Sequence, residues 1–326
     1  MKALLKRREF SLFIFILFTV FVISLRAPRF LEWSNLYDIL NDTAILIMVA
    51  IGQFMVITSG NGGIDLSVAS GIALTGMIVG MLNQYHPEIP IGVIILIAMF
   101  VGLILGSFNG ILVAYAGIPP IITTLGTMSI YRGFVFVLSK GEWVSADEMS
   151  NSFRHLPHGT PFGVTNIILF AIIVVVLAYI FTTRTKTGRE IYGIGGNRTA
   201  AQYVGINIRK ISFMVYAISG VIVGLAGLLW VSRYASAQND TAMGFELQTV
   251  AACVIGGVAI MGGSGTVPGV VLGAIFLGII NNALPVVNLS PFYQMAIQGF
   301  VIIFAIVANT VVGRKTQASL ARKAKV

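Results

Sequence analysis

Charged side chains are missing from six long stretches of this chain: residues 43–64, 66–87, 89–131, 155–183, 211–232 and 247–313. A helix that crosses a bilayer needs about 20 consecutive apolar residues. The first two stretches each fit one such helix, as do 155–183 and 211–232. The stretch from residue 89 fits two, broken at Gly117-Ile118-Pro119-Pro120. The last fits three, broken near Gly262-Gly263-Ser264-Gly265 and near residues 285–291. With an apolar run at residues 10–25, the reading is ten spans. Composition agrees: 56% of residues are hydrophobic and 10% charged, where an ordinary soluble domain has about a quarter charged. The expected fold is an all-α integral membrane protein of about ten transmembrane helices.

Charge placement orients those spans. The amino end (Lys2, Lys6, Arg7, Arg8) and the carboxyl end (Arg314, Lys315, Arg322, Lys323, Lys325) are both basic. Positively charged flanks resist translocation, so both termini are expected to be cytoplasmic, which demands an even number of spans. Counting six spans inward places the loop 184–210 on the same side. It carries six basic residues (Arg184, Lys186, Arg189, Arg198, Arg209, Lys210) against one acid, Glu190. The loop 139–162 then falls outside, with two basic residues, Lys140 and Arg154, against Glu142, Asp147 and Glu148. The net charge of +9 thus reflects membrane topology, and no aromatic-and-basic pattern argues for nucleic acid. No small-x-small cleavage site follows the first apolar run, which continues Ser24-Leu25-Arg26-Ala27-Pro28. It is read as an uncleaved first helix. The single Cys253 lies inside a span, packs as a small hydrophobe and has no partner for an intrachain disulfide.

Within the basic loop, residues 187–206 form a polar island with the local chemistry of a short docking helix. Asn197 is a good N-cap, residues 198–204 hold no breaker, and Gly205 suits the left-handed position past the helix end. Such a helix is too short to stand alone, because isolated helices below about 12 residues are marginal in water. It needs a partner surface, and Ala200, Ala201, Tyr203 and Val204 give it an apolar side.

A second polar interruption is Thr58-Ser59-Gly60-Asn61-Gly62-Gly63-Ile64-Asp65-Leu66-Ser67. A carboxylate at the centre of a bilayer helix costs at least about 2.5 kcal/mol, so Asp65 should face protein, water or a helix end. It is placed to cap the third span, where its charge favours the positive end of the helix dipole. A role in gating or in the translocation path is the alternative. The glycine turn here is echoed by Gly262-Gly263-Ser264-Gly265, and each leads into a small-residue helix, which suggests two parallel halves. Glycines at close spacing (Gly102, Gly106, Gly110; Gly220, Gly224, Gly227) allow tight helix packing. Gly193-Ile194-Gly195-Gly196 has the wrong context for a dinucleotide turn, and no glycine loop is followed by Gly-Lys-Ser/Thr. The chain itself therefore has no Walker A site. His155-Leu156-Pro157-His158 lacks metal-ligand spacing, and no plausible catalytic set appears.

Four motifs in order resemble the permease subunits of bacterial ABC importers for ribose-like sugars (ribose, galactose, xylose, rhamnose and autoinducer-2). They are Gly62-Gly63-Ile64-Asp65-Leu66-Ser67; Ile118-Pro119-Pro120 with Thr124-Leu125-Gly126-Thr127-Met128 and Tyr131-Arg132-Gly133; Gly193-Ile194-Gly195-Gly196-Asn197 with Ala200-Ala201 and Gly205-Ile206; and Val254-Ile255-Gly256-Gly257 with Gly262-Gly263-Ser264-Gly265-Thr266. The family usually runs Ser-Gly-Gly-Ile-Asp; here Asn61 and Gly62 are two extra residues, and Ala69 stands where glycine is usual. The resemblance implies one transmembrane domain over residues 1–326 in the inner membrane, similar to the vitamin B12-type importer permeases. It implies a second permease copy or paralogue, a cytoplasmic ABC ATPase, and a periplasmic or lipoprotein sugar-binding protein, all in contact with membrane lipid or each other. It implies no cofactor and no metal. Gly188, Gly193, Gly195, Gly196, Asn197, Ala200, Ala201 and Gly205 match the ATPase-coupling segment. Asp65, Ser67, Asn109, Thr124 and Arg132 are the candidates for translocation or gating. An ion-coupled secondary sugar transporter is the rival, with Asp65 as its one candidate coupling group. Which sugar is carried stays open, ribose, rhamnose and autoinducer-2 alike, because binding proteins set most of the selectivity.

Overall fold

The computed structural model describes residues 8–286, with isolated helical positions at 293, 296, 299, 300, 303 and 307. In chain order its helices are α1 (Arg8–Arg26), α2 (Trp33–Thr58), α3 (Val68–Tyr85), α4 (Ile91–Ala114), α5 (Pro120–Ser139), α6 (Asn151–His155), α7 (Asn166–Arg184), α8 (Lys186–Gly196), α9 (Arg198–Tyr203), α10 (Ile208–Tyr234), α11 (Phe245–Ile255) and α12 (Val267–Val286). Among the described residues the only β pairing is one isolated bridge, Val144 with Ala237.

Seven of these helices are long and apolar enough to cross a membrane: α1, α2, α4, α5, α7, α10 and α12. The third expected span, α3, has 18 residues and falls outside that set; Ser70, Thr75, Asn83 and Gln84 dilute its apolar character. The eighth expected span is shorter than the sequence suggests. α11 has 11 residues, about 16 Å at 1.5 Å per residue, roughly half of a 30 Å hydrocarbon core. Gly256 and Gly257 end it and turn the chain back towards α12. The tenth expected span lies almost wholly outside the described residues, as do the charged ends, apart from Arg8.

Two helices form the centre. The apolar windows of α2 and α10 are 89% and 78% buried, against 6% for α1 and 22% for α4 and α7. A helix that is apolar all round belongs in such a core. The outer helices instead expose large apolar side chains, Phe18, Leu96, Phe100, Val137 and Leu177 among them. Lipid tails are as apolar as leucine, so close packing between spans relies on backbone approach rather than on hydrophobic driving force. That is how α4 meets α10. A side-chain carbon added to Gly102 would lie 2.7 Å from Gly224 Cα, and one on Gly106 would lie 2.7 Å from Gly220 Cα. Gly102, Gly106, Gly220 and Gly224 of the spacing read from the sequence are the seam of this helix pair, while Gly227 meets Ile72 and Gly76 of α3.

The helix ends define two faces of the bundle. α10 has 27 residues, about 40 Å of rise, with α8 and α9 at its start. At its end, Ser232 Oγ donates to Phe153 O of α6, and Arg233 pairs with Asp42 near the start of α2. The loop 139–162 therefore packs on the face remote from α8 and α9. There Asn83 Oδ1 accepts from Ser150 N at 2.8 Å, Gln84 Nε2 donates to Glu148 at 2.7 Å, and Ser139 Oγ donates to Asn239 at 2.8 Å. α3 ends at this remote face. α12 runs alongside: it starts beside Thr58, whose carbonyl accepts from Gly263 N at 3.0 Å, and its Gly278 meets Thr43 further up α2. The two glycine-led helices of the sequence echo thus share a direction.

Candidate coupling and gating sites

The polar island folds into two short helices at right places for its caps. Thr185 Oγ1 accepts from Gly188 N at 3.0 Å and opens α8. This helix is one the sequence reading missed, because its four glycines (Gly188, Gly193, Gly195, Gly196) argue against helix on propensity. Tertiary contact overrides propensity here. Ile191 and Ile194 are buried in the main core, and Gly188 sits against the end of α7, 2.7 Å from Thr182 Cα at its missing Cβ. Lys186 and Glu190 pair one turn apart at 3.8 Å.

α9 matches the expected docking helix in its caps. Asn197 Oδ1 accepts from Ala200 N at 2.9 Å. At the other end Ile206 N donates to Ala201 O and Gly205 N to Gln202 O, both at 3.1 Å, with Gly205 at φ +82°. That is the paired hydrogen-bond pattern of a Schellman stop. The apolar side is distributed differently from the expectation. Ala201 is 4% exposed and belongs to this chain's own core. Ala200 is exposed, and Tyr203 and Val204 project from the protein at 87% and 76% exposure. The exposed apolar surface of α9 is therefore Ala200, Tyr203 and Val204, while Ala201 anchors the helix from behind.

Around Asp65 the structure brings four of the five gating candidates together. Asp65 Oδ1 accepts from Ser67 N at 2.9 Å and from Ser67 Oγ at 2.6 Å. Asn109 of α4 donates Nδ2 to Ser67 Oγ at 2.8 Å. Thr124 of α5 donates Oγ1 to Ile64 O at 3.0 Å. Asp65, Ser67, Asn109 and Thr124 are all buried. The carboxylate thus braces the turn that leads into α3, while Ser67 occupies the N-cap position itself. Two further members went unassigned in the sequence. Gln53 of α2 pairs its amide with the N–H and C=O of Asp65 at 3.1 Å each, in the orientation that lets nitrogen donate. Tyr131 donates its hydroxyl to Leu105 O at 2.8 Å and lies 3.4 Å from Asn109 Oδ1. A polar residue inside a charge-free run was the available signal for Gln53.

The fifth candidate, Arg132, points elsewhere. Its Nη1 donates to Asn239 O at 2.8 Å and Thr241 O at 3.0 Å, pinning the segment between α10 and α11. The two extra residues near Asp65 also find a local solution. Gly60, Asn61 and Gly62 have φ of +79°, +61° and +65°, and Asn61 is exposed. The insertion is taken up as a left-handed outward turn, closed by Gly63 N to Gly60 O at 3.0 Å.

Residues 35–306 match the family model described as branched-chain amino acid transport system / permease component. The chain belongs to this family. Similar curated proteins include the ribose import permease of Haemophilus influenzae, 36% identical over 93% of both chains. The autoinducer 2 import permease of an Enterobacter species is 33% identical over 98% of this chain and 90% of its own. The galactose/methyl galactoside import permease of Salmonella typhimurium is 34% identical over 93% and 94%. No solved structure matches the chain. The resemblance read from the motifs is thereby established: the protein is a multi-pass membrane permease component and not an enzyme.

Proposed function

We propose that this permease imports a monosaccharide or sugar-like solute as the membrane subunit of an ATP-driven importer, with hydrolysis carried out by a separate ATPase seated on α8 and α9. The observation that carries the reading is α9 itself. A six-residue helix capped at both ends and anchored by Ala201 presents Tyr203 and Val204 outward, which is costly for a free surface and apt for a groove. The motif match supports the same assignment for the segment that holds Gly188, Gly193, Gly195, Gly196, Asn197, Ala200 and Gly205. Within it the ATPase contact is Ala200, Tyr203 and Val204, while Gly195 is turned to this chain's own backbone at Thr58 and Gly263. The relatives named above carry ribose, autoinducer 2 and galactose at 33–36% identity, so what they share is a framework for small polyhydroxylated cargo.

The full arrangement proposed is ten crossings of the membrane, the eighth made by the short α11 together with the segment that follows it, with both termini cytoplasmic, the loop 184–210 inside and the loop 139–162 outside, in a single domain of the vitamin B12-importer kind. A second permease copy or paralogue completes the pore, and a sugar-binding protein delivers cargo to the remote face. Asp65, Ser67, Asn109 and Thr124 form the gate region, and Arg132 holds the segment that faces the delivery side. The decisive experiment is uptake in inside-out-controlled vesicles containing permease, ATPase and binding protein. Transport should require ATP hydrolysis; uptake driven by an ion gradient alone would replace this reading with a secondary transporter. Orientation is tested by cysteines at Trp143 and Thr199 against the buried Cys253 background. The first should react with an impermeant reagent in spheroplasts and the second should not; labelling at Thr199 overturns the orientation.

A further inference from the structure

Three glycine segments from distant parts of the chain interlock at one point. Gly195, near the end of α8, has its missing Cβ against Thr58 O and Gly263 N. A Cβ on Gly60 would lie 2.8 Å from Gly195 Cα, one on Gly262 would lie 2.5 Å from Gly60 Cα, and one on Gly263 would lie 2.6 Å from Gly196 Cα. Each of these obstacles is backbone, which cannot swing aside as a side chain can. The contact is also tied by hydrogen bonds. Thr58 O accepts from Gly263 N at 3.0 Å, and Tyr192 of α8 donates its hydroxyl to Gly265 O at 3.0 Å. Tyr192 further rests edge-on against Phe54 of α2, with ring centroids 6.5 Å apart.

We infer that this backbone junction is a relay: Gly195 and Tyr192 are positioning residues that transmit movement of α8 to the glycine turns that open α3 and α12. The reading rests on α8 and α9 being the ATPase seat. Its physical basis is stiffness. Packed backbones have no rotamers to absorb displacement, so a shift of α8 must be passed on or the contact must open. One output runs from Gly60 through Gly63 to the Asp65 turn, where Ser67, Asn109 and Gln53 tie the displacement to α3, α4 and α2. The other runs through Gly263 and Gly265 into the start of α12. Both halves of the sequence echo are therefore driven from a single input. The helix glycines of α4 and α10 also permit close approach, but they join spans laterally and touch nothing in α8.

The test is Gly195→Ala in the assembled complex, scored by sugar uptake per ATP hydrolysed. The added methyl meets backbone on two sides and leaves Tyr203 and Val204 untouched. ATPase co-purification and ATP hydrolysis should persist while uptake per ATP falls about two- to thirtyfold, the span typical for mutations that alter coupling between sites. Uptake per ATP at the wild-type level overturns the relay. If Gly195→Ala does not accumulate in the membrane, Tyr192→Phe takes its place, because it deletes only the hydroxyl bond to Gly265. A lowered ratio there supports the relay, and an unchanged ratio refutes it. Loss of ATPase from Tyr192→Phe would also refute it, by making α8 a docking surface alone. Failure of the ATPase-seat reading looks different: ATPase then stays bound when Tyr203 is replaced.

Discussion

The turn around Asp65 and the helix after Asn197 are two polar interruptions of a mostly apolar chain, and they face opposite ways. At Asp65 the polar groups are turned inward and paired with one another: Oδ1 with Ser67, the backbone with Gln53, Ser67 with Asn109. At α9 the polar groups close the helix on itself, and apolar side chains are left outside. A buried polar network gains nothing from a partner and specifies one arrangement of the elements it joins. An exposed apolar tip on a capped helix is the reverse, since its stabilisation is completed only by something that covers it. In the function proposed above, the first region is internal machinery and the second is the contact surface.

Breaking the inward network should have the largest effect. Asp65→Leu removes the acceptor from two Ser67 donors, and each buried donor left unpaired costs about 1–3 kcal/mol. Against a total stability of about 5–15 kcal/mol, permease abundance in the membrane should collapse. Asp65→Asn keeps an oxygen at the same place, and its abundance and most of its uptake should survive. Normal abundance with abolished uptake in Asp65→Asn would show that the charge, beyond the bracing, is needed for gating.

The contrast within α9 is sharpened by two aspartates on adjacent faces. Tyr203→Asp leaves the fold alone and puts an unpaired charge into the partner contact. Burying such a charge costs about 3–5 kcal/mol, so ATPase affinity should fall by a factor of about hundreds at normal permease abundance. Ala201→Asp puts its charge into this chain's own core and should lower permease abundance first. Pull-down of the ATPase normalised to permease level separates the two; wild-type recovery with Tyr203→Asp would make α9 an ordinary connector.

What the sequence made legible follows from which signals are local. Charge-free apolar runs report burial away from water, in lipid or in protein, so α1, α2, α4, α5, α7, α10 and α12 were visible, as were the caps Asn197 and Gly205. α11 was misjudged in length because the apolar run around it includes the turn at Gly256 and Gly257, and apolarity alone does not separate a turn buried in protein from a helix. α8 was missed because its glycines serve tertiary contacts: Gly188 with the end of α7 at Thr182, and Gly195 with Thr58 and Gly263, both distant in sequence. The group around Asp65 shows the same division. Asp65 stood out by its charge, whereas the meeting of Ser67, Asn109 and Thr124 depends on α3, α4 and α5 packing together. Arg132 carried the same local signal as Asp65, and only the fold sends it to Asn239 and Thr241.

The smallest expected effect concerns the cap of α9, and it tests whether that helix acts through its shape. Asn197→Ala removes the acceptor for Ala200 N, a loss worth about 0.5–2 kcal/mol at helix starts. Part of that is recovered here, because the Schellman stop at Gly205 and the burial of Ala201 hold the rest of the turn. ATPase affinity should therefore weaken only about two- to fivefold, with permease abundance unchanged. Asn197→Asp restores an acceptor at the same position and should bind like the wild type. The pair discriminates between two roles for an exposed asparagine. If Ala weakens binding and Asp rescues it, Asn197 works by ordering α9 so that Tyr203 and Val204 meet the groove preformed. If both variants weaken binding equally, the amide nitrogen contacts the ATPase directly, and the outward region would carry a specific polar contact as well as its apolar tip.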